Sequence, residues 1–230
     1  MAMTSADVSS VPSPSPSPLH ILGIAGSLRA GSYNRALLRA AQQQAPQGVA
    51  IELYDIASIP LYNADVEARG DPEPVVAFKA AIRAADGLLI STPEYNHGVP
   101  GALKNAVDWA SRPHRASPLD SKPVALMGAT AGRGSTFQAQ AQLREALVYA
   151  GACTLSQPEL SLSRADTAFD VIQDAGVAGQ LADPDTRGAL QELLEAFAQW
   201  VQVIHSTEGE RYQTHHAHLT SDPELIPRAS

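Results

Sequence analysis

Residues able to do chemistry gather in three glycine- and turn-rich stretches: GSLRAGSYN (26–34), TPEYNHGVPG (92–101) and GATAGRGST (128–136). The first sets the hydroxyls of Ser27 and Ser32, the guanidinium of Arg29 and the amide of Asn34 in front of a helix-like segment. A phosphate needs several donors at once, and hydroxyls, a forked cation and the free N–H groups of a helix start supply them. Read without that ligand, the stretch is a capped turn in which Ser32 or Asn34 serves as the N-cap. The glycine spacing narrows the choice of phosphate. Gly26 and Gly31 match a P-loop, but Ser32 stands where its Lys belongs and Tyr33 where its metal-binding hydroxyl belongs. Ala25 occupies the position where a dinucleotide loop needs a second Gly to admit a pyrophosphate. A single terminal phosphate remains.

Other chemistries lack their parts. There is no G-x-S-x-G elbow with a Ser-His-Asp set, no evident Cys-His pair and no HExxH. Cys153 is the sole cysteine, so the chain alone can build neither a disulfide framework nor a multi-cysteine metal site. Preceded by Gly151 and Ala152, it reads as a small buried hydrophobe. His97 lies in the second loop, where it is open to a substrate contact, while Asp55 and Asp65 sit where a dinucleotide fold would place a ribose ligand. His215, His216 and His218 lie in a polar stretch without carboxylates at ligand spacing and read as solvated.

Composition bounds the partners. Sixteen Lys and Arg against 24 Asp and Glu give a formal net charge of -8, which disfavours nucleic acid and membrane surfaces. The start offers no basic and apolar signal segment, no apolar run is long enough for a membrane helix, and the expected location is the cytoplasm. Residues 1–18 include the alternating Ser/Pro run SSVPSPSPSP (9–18), which can neither bury apolar surface nor complete a ladder, and are expected to be a disordered tail. Residues 206–230 are polar and aperiodic and are expected to be a flexible C-terminal tail. A single domain, 19–205, remains between them.

The elements that must position the three loops are legible from periodicity. Short apolar runs at 19–25, 49–55, 87–92, 123–129 and 154–160 predict strands, and helical spacing at 34–44, 75–85, 100–111, 135–150 and 186–205 predicts helices. Five βα units in succession imply a parallel sheet covered by helices on both faces, a three-layer doubly wound α/β domain. Such sheets bind ligands beyond the carboxyl ends of their strands, and the three loops follow the first, third and fourth.

GSLRAGSYN together with STPEYNHGVPGALKNAVDWAS (91–111) resembles the NAD(P)H-dependent FMN reductase family, the flavodoxin-like group that includes chromate, azo and quinone reductases. The resemblance extends over about 19–198 in order and spacing. It implies a five-stranded sheet of order 2-1-3-4-5 with FMN as cofactor and NADPH or NADH as electron donor. Ser27, Arg29, Ser32 and Asn34 would hold the ribityl phosphate. Pro93, Glu94, Tyr95 and Asn96 would flank the isoalloxazine ring, largely through backbone groups. Thr130, Gly132, Arg133 and Gly134 would close over the ring system. No catalytic side chain is implied, since hydride moves between stacked rings. The implied acceptors are quinones, azo compounds, free flavin or metal oxyanions such as chromate, taken in a ping-pong cycle by a homodimer or homotetramer. A flavodoxin-like electron carrier and a non-catalytic flavin-binding module are the alternatives.

Overall fold

The computed structural model describes residues 17–114, 116–171 and 178–206. The C-terminal tail beyond Ser206, its three histidines and residues 1–16 of the Ser/Pro segment lie outside the described residues.

The strands are β1 (Leu19–Ala25), β2 (Val49–Tyr54), β3 (Gly87–Ser91), β4 (Pro123–Ala129), β5 (Cys153–Thr154) and β6 (Leu160–Leu162). Their order is β2-β1-β3-β4-β5, all parallel, with β6 also paired to β4. β3 and β4 are buried at every position, as central strands covered on both faces must be. β2 buries Ile51 and exposes Glu52 and Leu53, the pattern of an edge.

Alternate strand residues feed two cores. Ile21, Leu89, Ala125 and Met127 pack under α1 (Tyr33–Gln43) and α7 (Pro184–His205), where Leu37, Leu194 and Phe197 meet them. Leu22, Ile24, Leu88, Ile90, Val124 and Leu126 pack under α3 (Glu73–Ala84), α4 (Gly101–Ala110) and α5 (Phe137–Tyr149), with Ile82, Trp109 and Leu143. Each fully buried Leu, Ile or Phe contributes about 1.5 to 3 kcal/mol, so the two cores hold all three layers together. Trp109 keeps its indole N–H satisfied by donating to the Pro60 carbonyl at 2.8 Å. Local signals set several helix starts: Ser32 caps α1, Asp183 caps α7, and prolines stand at the first turn of α3 and α7.

Two departures from the sequence reading concern the last third of the domain. The strand expected at 154–160 is divided into β5 and β6, both on the same edge of β4. Pro158 has no N–H to offer a ladder, so the chain leaves the edge after Leu155 and rejoins it at Leu160. Between β6 and α7 lie α6 (Ala165–Ala168) and an antiparallel ribbon of β7 (Phe169–Val171) and β8 (Ala178–Leu181), where the sequence shows no period. Phe169 and Leu181 bury themselves beside α1, and the Phe169 ring lies 6.0 Å from that of Tyr33. A short α2 (Ala64–Glu67) is likewise added, capped by Asn63.

Candidate functional site

The strand order reverses between β1 and β3, and the loops leaving β1, β3 and β4 meet there. They enclose a cleft of about 150 Å³ lined by Ser27, Arg29, Ser32, Tyr33, Asn34, Pro93, Glu94, Tyr95, Ala129, Thr130 and Ala131. Eight of the twelve residues expected from the sequence therefore border one cavity, Thr130 among them from the β4 loop; Asn96, Gly132, Arg133 and Gly134 stand outside its lining, exposed at the loop tips.

At the β1 end the donors converge. Ser32 Oγ accepts from the backbone N–H groups of Asn34 at 3.2 Å and Arg35 at 3.4 Å. It caps α1 with its lone pairs, which leaves its hydroxyl hydrogen to donate into the cleft. Ser27 Oγ accepts from the Tyr95 hydroxyl at 3.3 Å and the Arg29 N–H at 3.4 Å, and keeps its hydrogen in the same way. Arg29 is exposed and gives one guanidinium nitrogen to the Gly31 carbonyl at 3.0 Å, leaving its other donors to the cleft mouth. Behind the loop, Arg35 Nε donates to the Ser27 carbonyl at 3.2 Å while its Nη2 pairs with Asp55 at 3.0 Å, so Asp55 braces the loop from β2. Arg35 and Tyr33 escaped the sequence reading; their place in the first turn of the helix that follows the loop was the available signal.

Asn34 does more than line the cavity. Its Nδ2 donates to the Ala129 carbonyl at 2.8 Å, and its Oδ1 accepts from the Ala129 N–H and the Ser91 hydroxyl, each at 2.9 Å. The β3–β4 ladder ends with the Thr92 N–H donating to the Met127 carbonyl at 2.9 Å, and beyond it the Asn34 carboxamide satisfies both backbone polar groups of Ala129. The second Nδ2 hydrogen has no acceptor among the described residues. Asn34 thus joins the ends of β3 and β4 to the first turn of α1.

The β3 loop is a two-residue hairpin. Tyr95 and Gly98 exchange both backbone hydrogen bonds, at 3.0 and 3.1 Å, and Asn96 and His97 have φ of 51° and 59°. That pair of left-handed residues is the turn that matches strand twist, and it explains an Asn at the first corner. Glu94 is turned away from the cleft: Oε2 accepts from the N–H groups of Gln138 and Ala139 at 3.1 Å each, and Oε1 lies 3.2 Å from His97 Nδ1. The carboxylate therefore caps α5, and this lining acid presents no uncompensated charge to an anion. Thr92, Gly128 and Thr136 pack tightly together; a Cβ at Gly128 would collide with the Thr136 hydroxyl and the Thr92 carbonyl. Thr136 is held by Ser161, its N–H donating to that hydroxyl at 2.8 Å.

This donor set fits a phosphate ester at the β1 end and a flat ring along Pro93, Tyr95 and Ala129–Ala131, with no buried acid or base between them. The description NADPH-dependent FMN reductase matches residues 19–167. The chain belongs to that family.

This member of the NADPH-dependent FMN reductases is 48% identical over 186 residues to the NAD(P)H-dependent FMN reductase of Pseudomonas aeruginosa, covering 81% of this chain and 97% of that one. It is 38% identical over 189 residues to the quinone reductase of Escherichia coli K12, covering 81% and 97%. The solved structure of the flavoenzyme NAD(P)H:(acceptor) oxidoreductase FerB from Paracoccus denitrificans superposes with a TM-score of 0.71 at 34% identity, over 80% of this chain and 97% of that one. The flavodoxin-like order and the reductase class expected from the sequence are those of the structure and the family. As a member of this reductase family, the chain is an oxidoreductase that uses FMN and a reduced nicotinamide dinucleotide. Among the described residues, no helix is long and apolar enough to cross a membrane, and no cluster of three metal-ligating side chains occurs.

Proposed function

We propose that this reductase carries two electrons from NADPH or NADH to quinones, with azo compounds, free flavin and chromate as further acceptors. The observation that carries the reading is the cleft itself: phosphate donors at one end, an apolar and turn-built wall at the other, and no acid-base pair. FMN held in the cleft would relay hydride from the nicotinamide to a quinone, with one further proton from solvent completing the hydroquinone. Ser27, Arg29 and Ser32 hold the phosphate, with the spare Asn34 amide hydrogen beside them. Pro93–Asn96 set the ring edge through backbone groups, and the backbone of Thr130–Gly134 covers it. A quinone is flat and needs only the space the nicotinamide vacates, and quinone reductases at 38–39% identity support that choice of acceptor.

The site serves one ring at a time, so the nicotinamide must leave before the acceptor stacks. Steady-state assays of the FMN-loaded protein with both nicotinamides against a quinone, an azo dye, FMN and chromate test this. Parallel double-reciprocal lines with quinone as the fastest acceptor are expected. Intersecting lines refute the single-site cycle, and failure of either nicotinamide to bleach the flavin points to the electron carrier.

We place the protein in the cytoplasm, where reduced nicotinamides are supplied, and assign it a homodimer. Between α4 and α5 runs a groove of about 720 Å³ lined by Lys104, Asp108, Arg112 and His114 from α4 and the turn after it and by Glu145 and Tyr149 from α5, with Lys104 paired to Asp108 at 2.6 Å. Val148 and Tyr149 stand exposed on α5 beside it, an apolar patch that a two-fold copy would cover.

A further inference from the structure

The cleft accounts for the flavin but leaves two cations beside it unused. Arg133, at the tip of the β4 loop, and Arg164, just after β6, are both exposed, and neither guanidinium has a hydrogen-bond or ion-pair partner among the described residues. Backbone bonds tie their roots together: the Arg164 N–H donates to the Gly132 carbonyl at 2.9 Å, and the Ala165 N–H to the Thr130 carbonyl at 2.9 Å. Thr130 and Ala131 line the cleft, and Arg133 follows two residues later, within about 7 Å along the chain. Arg164 has φ 51° and ψ 42°. An arginine in this left-handed turn costs about 1 kcal/mol that glycine would avoid, so the turn itself does not call for this residue. The chain as a whole carries a net charge of -8 and repels an anionic nucleotide, which a local pair of guanidinium groups offsets at the mouth.

From these observations we propose that Arg133 and Arg164 together bind the phosphates of the nicotinamide dinucleotide as its ring enters over the flavin, an inference resting on the nicotinamide-dependent function above. Guanidinium groups match phosphate oxygens in pairs, and two of them held on one backbone-linked platform suit a dianion or a pyrophosphate. These residues set donor affinity and touch neither the reacting carbon nor the flavin phosphate.

The test compares wild type with Arg133→Ala, Arg164→Asn, which keeps a residue tolerant of the left-handed turn, and the double variant, each loaded with FMN. NADPH and NADH are used in turn, and reduction of the flavin is followed by stopped flow. Each single variant should raise the NADPH concentration for half-maximal reduction roughly tenfold and the double on the order of a hundredfold, with little change in the limiting rate. Arg133→Lys with Arg164→Lys should recover part of the loss, and the double Ala/Asn variant should lose most of the salt dependence of donor binding. An equal rise for NADH places the pair on the pyrophosphate; a rise confined to NADPH places it on the 2′-phosphate. Unchanged donor affinity in the double variant overturns the proposal, as does a loss of FMN affinity with donor affinity intact, which would put Arg133 on the flavin. Wild type that neither nucleotide reduces would instead overturn the function from which the inference starts.

Discussion

Removing the Asn34 carboxamide should damage the fold and the cofactor site together. Asn34 is 2% exposed and Ser91 0%, and the Asn34 carboxamide makes three hydrogen bonds, to both polar groups of the Ala129 peptide and to the Ser91 hydroxyl. Asn34→Ala leaves that peptide N–H and C=O buried without partners, at about 1 to 3 kcal/mol each, while the Ser91 hydroxyl can rotate. The expected loss is about 3 to 5 kcal/mol, a large part of the roughly 5 to 15 kcal/mol that holds a domain folded. For a chain of this size that lowers the melting temperature by about 10 °C. The measurement belongs on protein stripped of FMN, since bound cofactor adds its own stabilisation. Titration with FMN and riboflavin then reports the site, and both should bind more weakly, because the ends of β3 and β4 lose their tie to α1. Asn34→Asp should do no better, as it removes the donor and faces a carboxylate to the Ala129 carbonyl. A loss below about 1 kcal/mol in the stripped protein, with weakening confined to FMN, would refute this reasoning and leave Asn34 as a phosphate ligand alone.

Arg29→Ala should weaken FMN by roughly ten- to a hundred-and-fifty-fold, the equivalent of a charge-assisted bond of about 1.5 to 3 kcal/mol before screening, while riboflavin binding barely changes. Equal losses for the two flavins in a fluorescence titration would remove the phosphate cradle from this loop. Burial, and then the neighbouring Asp120, push the Cys153 thiol above its usual range, so an aromatic disulfide reagent should label it slowly at pH 7 and faster only as the pH rises past that range. Rapid release of one equivalent at pH 7 contradicts the reading of Cys153 as a packed hydrophobe. Light scattering at micromolar protein should give twice the chain mass, and Tyr149→Glu should shift it toward the monomer; a monomeric wild type would refute the assignment of the α4–α5 groove to a second copy.

The site divides by the range of its interactions. Ser27, Arg29 and Ser32 were legible because their work is local: the cap on α1 and the turn before it are closed by residues two or three positions away. The hairpin at Asn96 and His97 is equally local. The partners of Asn34 lie 57 and 95 residues away and those of Glu94 lie 44 and 45 away, and nothing in either neighbourhood names them. The same holds for Arg133 and Arg164, brought together by a bond between loops that follow different strands. The break between β5 and β6 had a local sign in Pro158, but a run of strand-forming residues on both sides concealed where the chain leaves the edge.

By itself the sequence determined the alternation of strands and helices, the order of the three loops and the cap that starts α1, since periodicity and capping act within one turn or one strand. The tertiary structure alone decided which of those side chains are free for a ligand: Glu94 is committed to α5, Asn34 largely to β3 and β4, and Ser32 to α1 through its lone pairs only. Hydrogen bonds saturate, and whether a donor or acceptor remains for a cofactor depends on which distant backbone groups the packing of helices on the sheet has already brought within 3 Å of it.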